Sequence, residues 1–228
     1  MSPGEPSRRP PIAFSEDADG RAFRSELQHR LRNMLAMLRS VIIRTSLNKT
    51  DVQEYVAHLQ ARIDAMARTQ AMLARSSGNL VELEDIVRDE LVADAAEGRR
   101  YSVSGPAVCL ETHTAEVLGL AIHELATNSV KFGALGDRCG MLDVSWSAMS
   151  DGEERVRFTW SERGLDLTNT HPLGGFGSEL ITKRIPYELR GQGEMDFKAD
   201  GLVATIEFPL VNGSSIGAIG SASQAEAG

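Results

Sequence analysis

Apolar residues recur at three- and four-residue steps from about residue 17 to residue 46, at Phe23, Leu27, Leu31, Met34, Leu38, Val41 and Ile42, which predicts a long helix with one apolar face. Asn48, Lys49, Thr50 and Asp51 interrupt the pattern, and Thr50 or Asp51 can cap a second helix. Its stripe is Val52, Val56, Leu59, Ile63, Met66 and Met72, running to about residue 76. Two such helices and a short turn predict an antiparallel hairpin over 16–77. A lone hairpin buries its stripe poorly, so it packs either on the rest of the chain or on a second hairpin. The second arrangement is expected: a dimeric four-helix bundle, hence a homodimer through residues 16–77.

The period changes after Ser76, Ser77 and Gly78. Short strand-like stretches at 80–83, 101–104 and 107–110 flank a helix at 84–96, and a strong helix follows at 114–133. Alternation predicts strands at 141–149 and 154–161, joined by the turn residues Ser150, Asp151, Gly152 and Glu153. A glycine-rich loop at 164–177, a helix at 177–190 and strands at 193–198 and 202–209 complete an α/β sandwich over 78–211. The fold class is therefore α+β. Residues 1–15 hold four of the eight prolines and read as a flexible arm; the Gly/Ser/Ala-rich 212–228 reads as a disordered tail.

Composition narrows the function. Lys and Arg number 24 against 32 Asp and Glu, a net charge of −8, so no basic face is expected to neutralise phosphates and nucleic acid is not an expected partner. No apolar run approaches the roughly 18 residues of a membrane span, and the N-terminus lacks a secretory core, so a cytoplasmic protein is expected. Cys109 and Cys139 are far apart without metal-ligand spacing and read as reduced thiols.

Two places on the helices carry chemistry. At about 100° per residue, Leu27, Leu31, Leu38 and Ile42 lie opposite His29, which leaves the imidazole on the polar face beside Glu26 and Asn33. An imidazole nitrogen can attack a phosphoryl group when a neighbour takes its proton, here Glu26 or a carboxylate of the second domain. On the helix at 114–133, Glu124, Asn128 and Lys131 share one face, while Leu118, Ile122, Leu125, Ser129 and Phe132 form the packed side. A carboxylate, a carboxamide oxygen and an ammonium together suit a nucleotide with its Mg²⁺.

These residues fall in recognisable motifs. LAIHELATNSVKFGAL (120–135) closely resembles the N box of HWE-subfamily bacterial sensor histidine kinases, with His123 as the histidine before the acidic residue. Trp160, Ser161 and Glu162 are similar to its W-x-E motif, ELQHRLRN (26–33) resembles its phosphoacceptor box, and GGFGSELI (174–181) its second glycine box. The resemblance implies a dimerising phosphoacceptor hairpin followed by a Bergerat-type ATP-binding domain. It implies His29 as the residue phosphorylated by ATP, Glu124 as the catalytic acid or base, Asn128 as the Mg²⁺ ligand and Lys131 as a phosphate contact. Glu162 would read the adenine amino group, and Gly164, Gly175 and Gly177 would let the backbone approach the nucleotide. The partner implied is a response-regulator receiver domain, whose aspartate takes the phosphoryl group.

The chain also departs from the subfamily. The subfamily's W-x-E motif is usually followed by paired glycines and a proline, whereas Glu162 is followed by Arg163, Gly164, Leu165 and Asp166, one glycine short, and 165–173 is short, so a small ATP lid and slow autophosphorylation are expected. No acid follows His29 directly, and the sequence shows no sensor, so the expected source of the signal is either a separate sensor protein acting at the N-terminal arm or the rest of a longer protein of which this chain is a piece. Two other readings compete: an ATP-independent histidine phosphotransfer protein, expected to have a degraded N box, and an anti-sigma factor or serine kinase of the same ATPase superfamily, which needs no His29 helix.

Overall fold

The computed structural model describes residues 52–94, 100–150, 154–166, 175–210 and 215–216, together with Leu35, Leu38, Arg39, Ile42 and Ile43. The chain divides into two compact units, Met1–Arg44 and Thr45–Gly228. In the first, the five described residues are helical, as the periodicity predicts; the arm and His29 with its neighbours lie outside the described residues.

The second unit opens with helix α1 (Val52–Arg75), a 3₁₀ turn at Ser77–Asn79, strand β1 (Val81–Glu82) and helix α2 (Leu83–Asp94). Strands β2 (Tyr101–Ser104) and β3 (Val108–Leu110) lead into helix α3 (Thr112–Phe132). The hairpin β4 (Met141–Ser150) and β5 (Glu154–Arg163) precedes helix α4 (Phe176–Glu179), a π-helical turn (Leu180–Arg184) and helix α5 (Ile185–Glu188). Strands β6 (Gln192–Lys198), β7 (Gly201–Pro209) and β8 (Ser215–Ile216) close the unit.

The main sheet has the order β2-β4-β5-β7-β6, parallel only between β2 and β4. Alternation in β4, β5 and β7 puts Leu142, Val144, Trp146, Val156, Phe158, Trp160, Leu202, Ala204, Ile206 and Phe208 on the buried face. The helical layer covers it, with every residue from Thr114 to Ala126 buried, so α3 is a core helix rather than a surface one.

Three sequence expectations change. The predicted helix at 177–190 is broken by the π turn, because Pro186 has no N–H for the preceding turn and its ring crowds the carbonyl there. Phe132, expected on the packed side, is 73% exposed, being the last residue of α3 before the chain turns at Gly133. Ser215 and Ile216, inside the stretch read as a disordered tail, pair antiparallel with Cys109 and Val108 and complete a small sheet of order β1-β3-β8. Composition alone does not register that β3 otherwise leaves a row of backbone donors and acceptors without partners.

Candidate functional site

Helix α3 begins where Glu111 accepts hydrogen bonds from the His113 and Thr114 amides, an N-cap supplied by a glutamate. From there the helix carries Glu124, Asn128 and Lys131 along one face, but their surroundings divide them. Glu124 is buried beneath α1, where Arg62 donates from Nε to Oε1 at 2.6 Å and from Nη2 to Oε2 at 2.8 Å. This is a two-pronged guanidinium–carboxylate pair with both partners less than a tenth exposed. The same guanidinium lies 4.0 Å above the centre of the Phe176 ring. Asn128 and Lys131, one and two turns on, are exposed, and the Lys131 ammonium meets His58 Nε2 of α1 at 3.1 Å.

The second glycine segment reaches this face. A Cβ on Gly177 would stand 3.0 Å from Glu124 Cβ and 3.4 Å from Asn128 Nδ2, so glycine there lets the start of α4 touch α3. Gly175 stands immediately before α4, at its cap position. Gly164 occupies a different place, at the end of β5, with φ +79° and room only for a hydrogen against the Cys139 carbonyl. Residues 167–174 lie outside the described ones, and with them all of the predicted lid except Leu165 and Asp166.

Glu162 is 3% exposed and fully engaged by the chain itself. Trp160, two residues earlier on the same inward face of β5, donates its indole N–H to Oε1 at 2.8 Å, and the Ala134 amide donates to Oε2 at 2.8 Å. A Cβ on Gly133 would come within 2.0 Å of that oxygen. The W-x-E spacing thus builds a pin: the tryptophan orients the carboxylate, and the carboxylate fixes the turn that ends α3.

His123 faces away from Glu124, toward α2. Its Nδ1 lies 3.0 Å from Glu90 Oε2, and Arg68 of α1 bonds both Glu90 and Asp89. Burial alone would raise the Glu90 carboxyl, but the hydrogen bonds and positive charge of His123 and Arg68 hold it below the ordinary glutamate range. An ionised carboxylate only accepts, so Nδ1 carries the proton. Arg68 is raised in turn: burial works against its charge and is outweighed by Glu90 and then Asp89.

Sequence reasoning did not single out Arg62, Arg68 or Glu90, and it gave His58 no role. Arg62 was detectable in principle, since an arginine three residues after Leu59 and four before Met66 lies beside an apolar stripe where a charge needs a buried partner. Nothing in the pattern pointed to Glu90. Among the described residues no group of three or more His, Cys, Asp or Glu could hold a metal ion. The exposed Asn128 carboxamide offers a single oxygen, which fits Mg²⁺ held mainly by phosphate oxygens and water. Nor is any described helix long and apolar enough to cross a membrane.

Residues 26–107 match the family HWE histidine kinase. The chain is 35% identical over 199 residues to blue-light-activated histidine kinase 1 of Erythrobacter litoralis, covering 83% of this chain and 53% of that protein. It is 30% identical over 196 residues to a blue-light-activated histidine kinase of Brucella anthropi, covering 85% of this chain and 40% of that one. The chain therefore spans about half the length of these relatives or less. The solved histidine kinase domain of an Erythrobacter litoralis EL346 blue-light-activated histidine kinase superposes with a TM-score of 0.56 at 20% identity, over 82% of this chain and 90% of that one. The fold is α+β and of the histidine kinase domain type.

Proposed function

We propose that this chain, similar to HWE histidine kinases over residues 26–107, transfers the γ-phosphoryl group of ATP to its own His29 and then to an aspartate of a response-regulator receiver domain. The supporting observation is the packing of Gly177 against Glu124 and Asn128, which brings the N box and the second glycine box together. ATP with Mg²⁺ would supply the phosphoryl group and offset its charge. Asn128 would give the metal its one protein oxygen, Lys131 would face the phosphates, and Gly175 and Gly177 would admit them close to the backbone. Glu124 would take the proton that His29 loses as its nitrogen bonds to phosphorus and ADP leaves. Glu162 serves the nucleotide site by holding Gly133 and Ala134 in place, and Gly164 keeps its turn beside Cys139.

The domain reading follows the same logic: 16–77 as the acceptor hairpin, 78–211 as the ATP-binding domain, with a cytoplasmic homodimer formed through the hairpin. Support for that pairing comes from the apolar stripe of α1, where Val52, Val56 and Ile63 stay partly or largely exposed despite the contact with α3.

Radiolabelled ATP with Mg²⁺ tests the reading on the purified chain. Acid-labile, base-stable label is expected on the wild type and on neither His29→Ala nor Asn128→Ala. Absence of both label and ATP binding in the wild type would overturn it in favour of an ATP-independent phosphotransfer protein.

A further inference from the structure

We propose that α1 clasps the working face of α3, with Arg62 on Glu124 and His58 on Lys131, and that the kinase is off until this clasp opens. The inference rests on the roles proposed above for Glu124 and Lys131. Both Glu124 oxygens are occupied by one guanidinium, at 2.6 and 2.8 Å, which ties up the carboxylate assigned as the base. One helical turn earlier on α1, His58 engages the Lys131 ammonium at 3.1 Å, the cation assigned to the phosphates. Two of the three α3 side chains with proposed chemistry are therefore tied to the same helix.

The clasp has a closing surface and a joint. Below Arg62, α1 packs tightly on α3 where Gly119 faces Thr69: a Cβ on Gly119 would lie 2.6 Å from the Thr69 hydroxyl. Phe176 under the Arg62 guanidinium extends the contact to the second glycine segment, so α1 grips both motif segments at once. At its C-terminal end α1 passes into Gly78 and Asn79, at φ +80° and 56°, and a Cβ on Gly78 would meet nothing within 4 Å. That junction can change backbone angles without a packing penalty, which is what a hinge requires. An open state frees Glu124 and Lys131 together because one rigid helix carries both partners.

Locking the clasp tests it in the full chain. The Cβ positions of residues 69 and 119 are 3.6 Å apart, within the range of about 3.5–4.5 Å that a disulfide spans. Thr69→Cys with Gly119→Cys, in a background with Cys109→Ser and Cys139→Ser, should autophosphorylate at least about tenfold more slowly when oxidised, as a lock that depopulates the competent state requires. Reduction should restore the rate. Equal rates in the oxidised and reduced forms would overturn the proposal. Arg62→Met, which keeps the contact with Phe176 and drops the charge, should label severalfold faster than wild type; a slower rate would make Arg62 part of the reaction and refute the clasp. If the reduced double-cysteine protein is itself inactive, the Arg62→Met rate decides. Wild-type label that survives Asn128→Ala would instead condemn the kinase reading, whatever the lock does.

Discussion

Replacing Trp160 with phenylalanine should unfold the protein far more easily than an aromatic-for-aromatic exchange ordinarily would, because the indole holds a buried carboxylate. Trp160 is 0% exposed and its N–H reaches Glu162 Oε1 at 2.8 Å. A hydrogen bond to a charged group contributes about 1.5–3 kcal/mol, and Phe lacks the donor. The smaller ring also leaves a void; full truncation of a buried aromatic costs about 3–5 kcal/mol, and the ring exchange removes a minority of those contacts, roughly 1 kcal/mol. The sum, about 2.5–4 kcal/mol, is a large part of the 5–15 kcal/mol typical of domains and corresponds to a fall in Tm of roughly 5–16 °C. Urea unfolding followed by circular dichroism measures it. Glu162→Gln loses part of the same interaction, since one end of an amide must turn a donor toward either Trp160 or the Ala134 amide. The two substitutions should therefore couple by about 1–2 kcal/mol in a double-mutant cycle. Strict additivity, or a loss below about 1 kcal/mol for Trp160→Phe, would refute the pin.

Other substitutions probe separate links. Glu90 is held below the ordinary glutamate range, so the unfolded chain takes up its proton first; its contribution to stability is present above that range and lost as pH falls through the lower native value, and Glu90→Gln should flatten the acid limb of stability against pH. Gly177→Ala places a methyl 3.0 Å from Glu124 Cβ and should cost about 1–3 kcal/mol while weakening ATP binding in a fluorescent-nucleotide titration. Ending the chain after Leu210 removes β8 and should lower stability by about 1–2 kcal/mol, with faster amide exchange at Val108 and Cys109.

Much of the second unit was legible because its elements are long and strongly patterned. The hairpin of β4 and β5 alternates over ten residues on each side, and α3 runs apolar residues around a motif whose spacing is chemical. The N box, W-x-E and glycine segments could be assigned by type, and Gly177 does meet Glu124 and Asn128. What could not be read were the partners. Glu90 is thirty-three residues from His123, and Arg62 is sixty-two from Glu124. Such pairs are fixed by the docking of α1 and α2 on α3, a tertiary event with no local period. The same gap hid the partners of Glu162: only the sheet register shows that Trp160 and this carboxylate point inward together.

The difference between the predicted and the occupied faces of α1 bears on how the protein works. Periodicity drew the stripe through Val52, Val56, Leu59, Ile63 and Met66, yet the residues buried on this helix are Arg62, Ala65, Thr69 and Leu73. At about 100° per residue the two sets are centred roughly 100° apart, so α3 occupies one face and leaves the apolar stripe beside it. If the proposed bundle forms through the apolar stripe, a helix with two such faces would hold it and α3 at once, and a displacement in the bundle would reach Glu124 without passing through the sheet. The contact with α3 is anchored by charge at Arg62 and by close approach at Gly119, the combination that separates as a unit when the helix moves. Charging the stripe with Val56→Glu should therefore break self-association, measured by sedimentation, while the Arg62–Glu124 contact persists and amide exchange along α3 stays slow. Rapid exchange there would mean that the two faces are not independent and that the bundle itself holds α1 on α3.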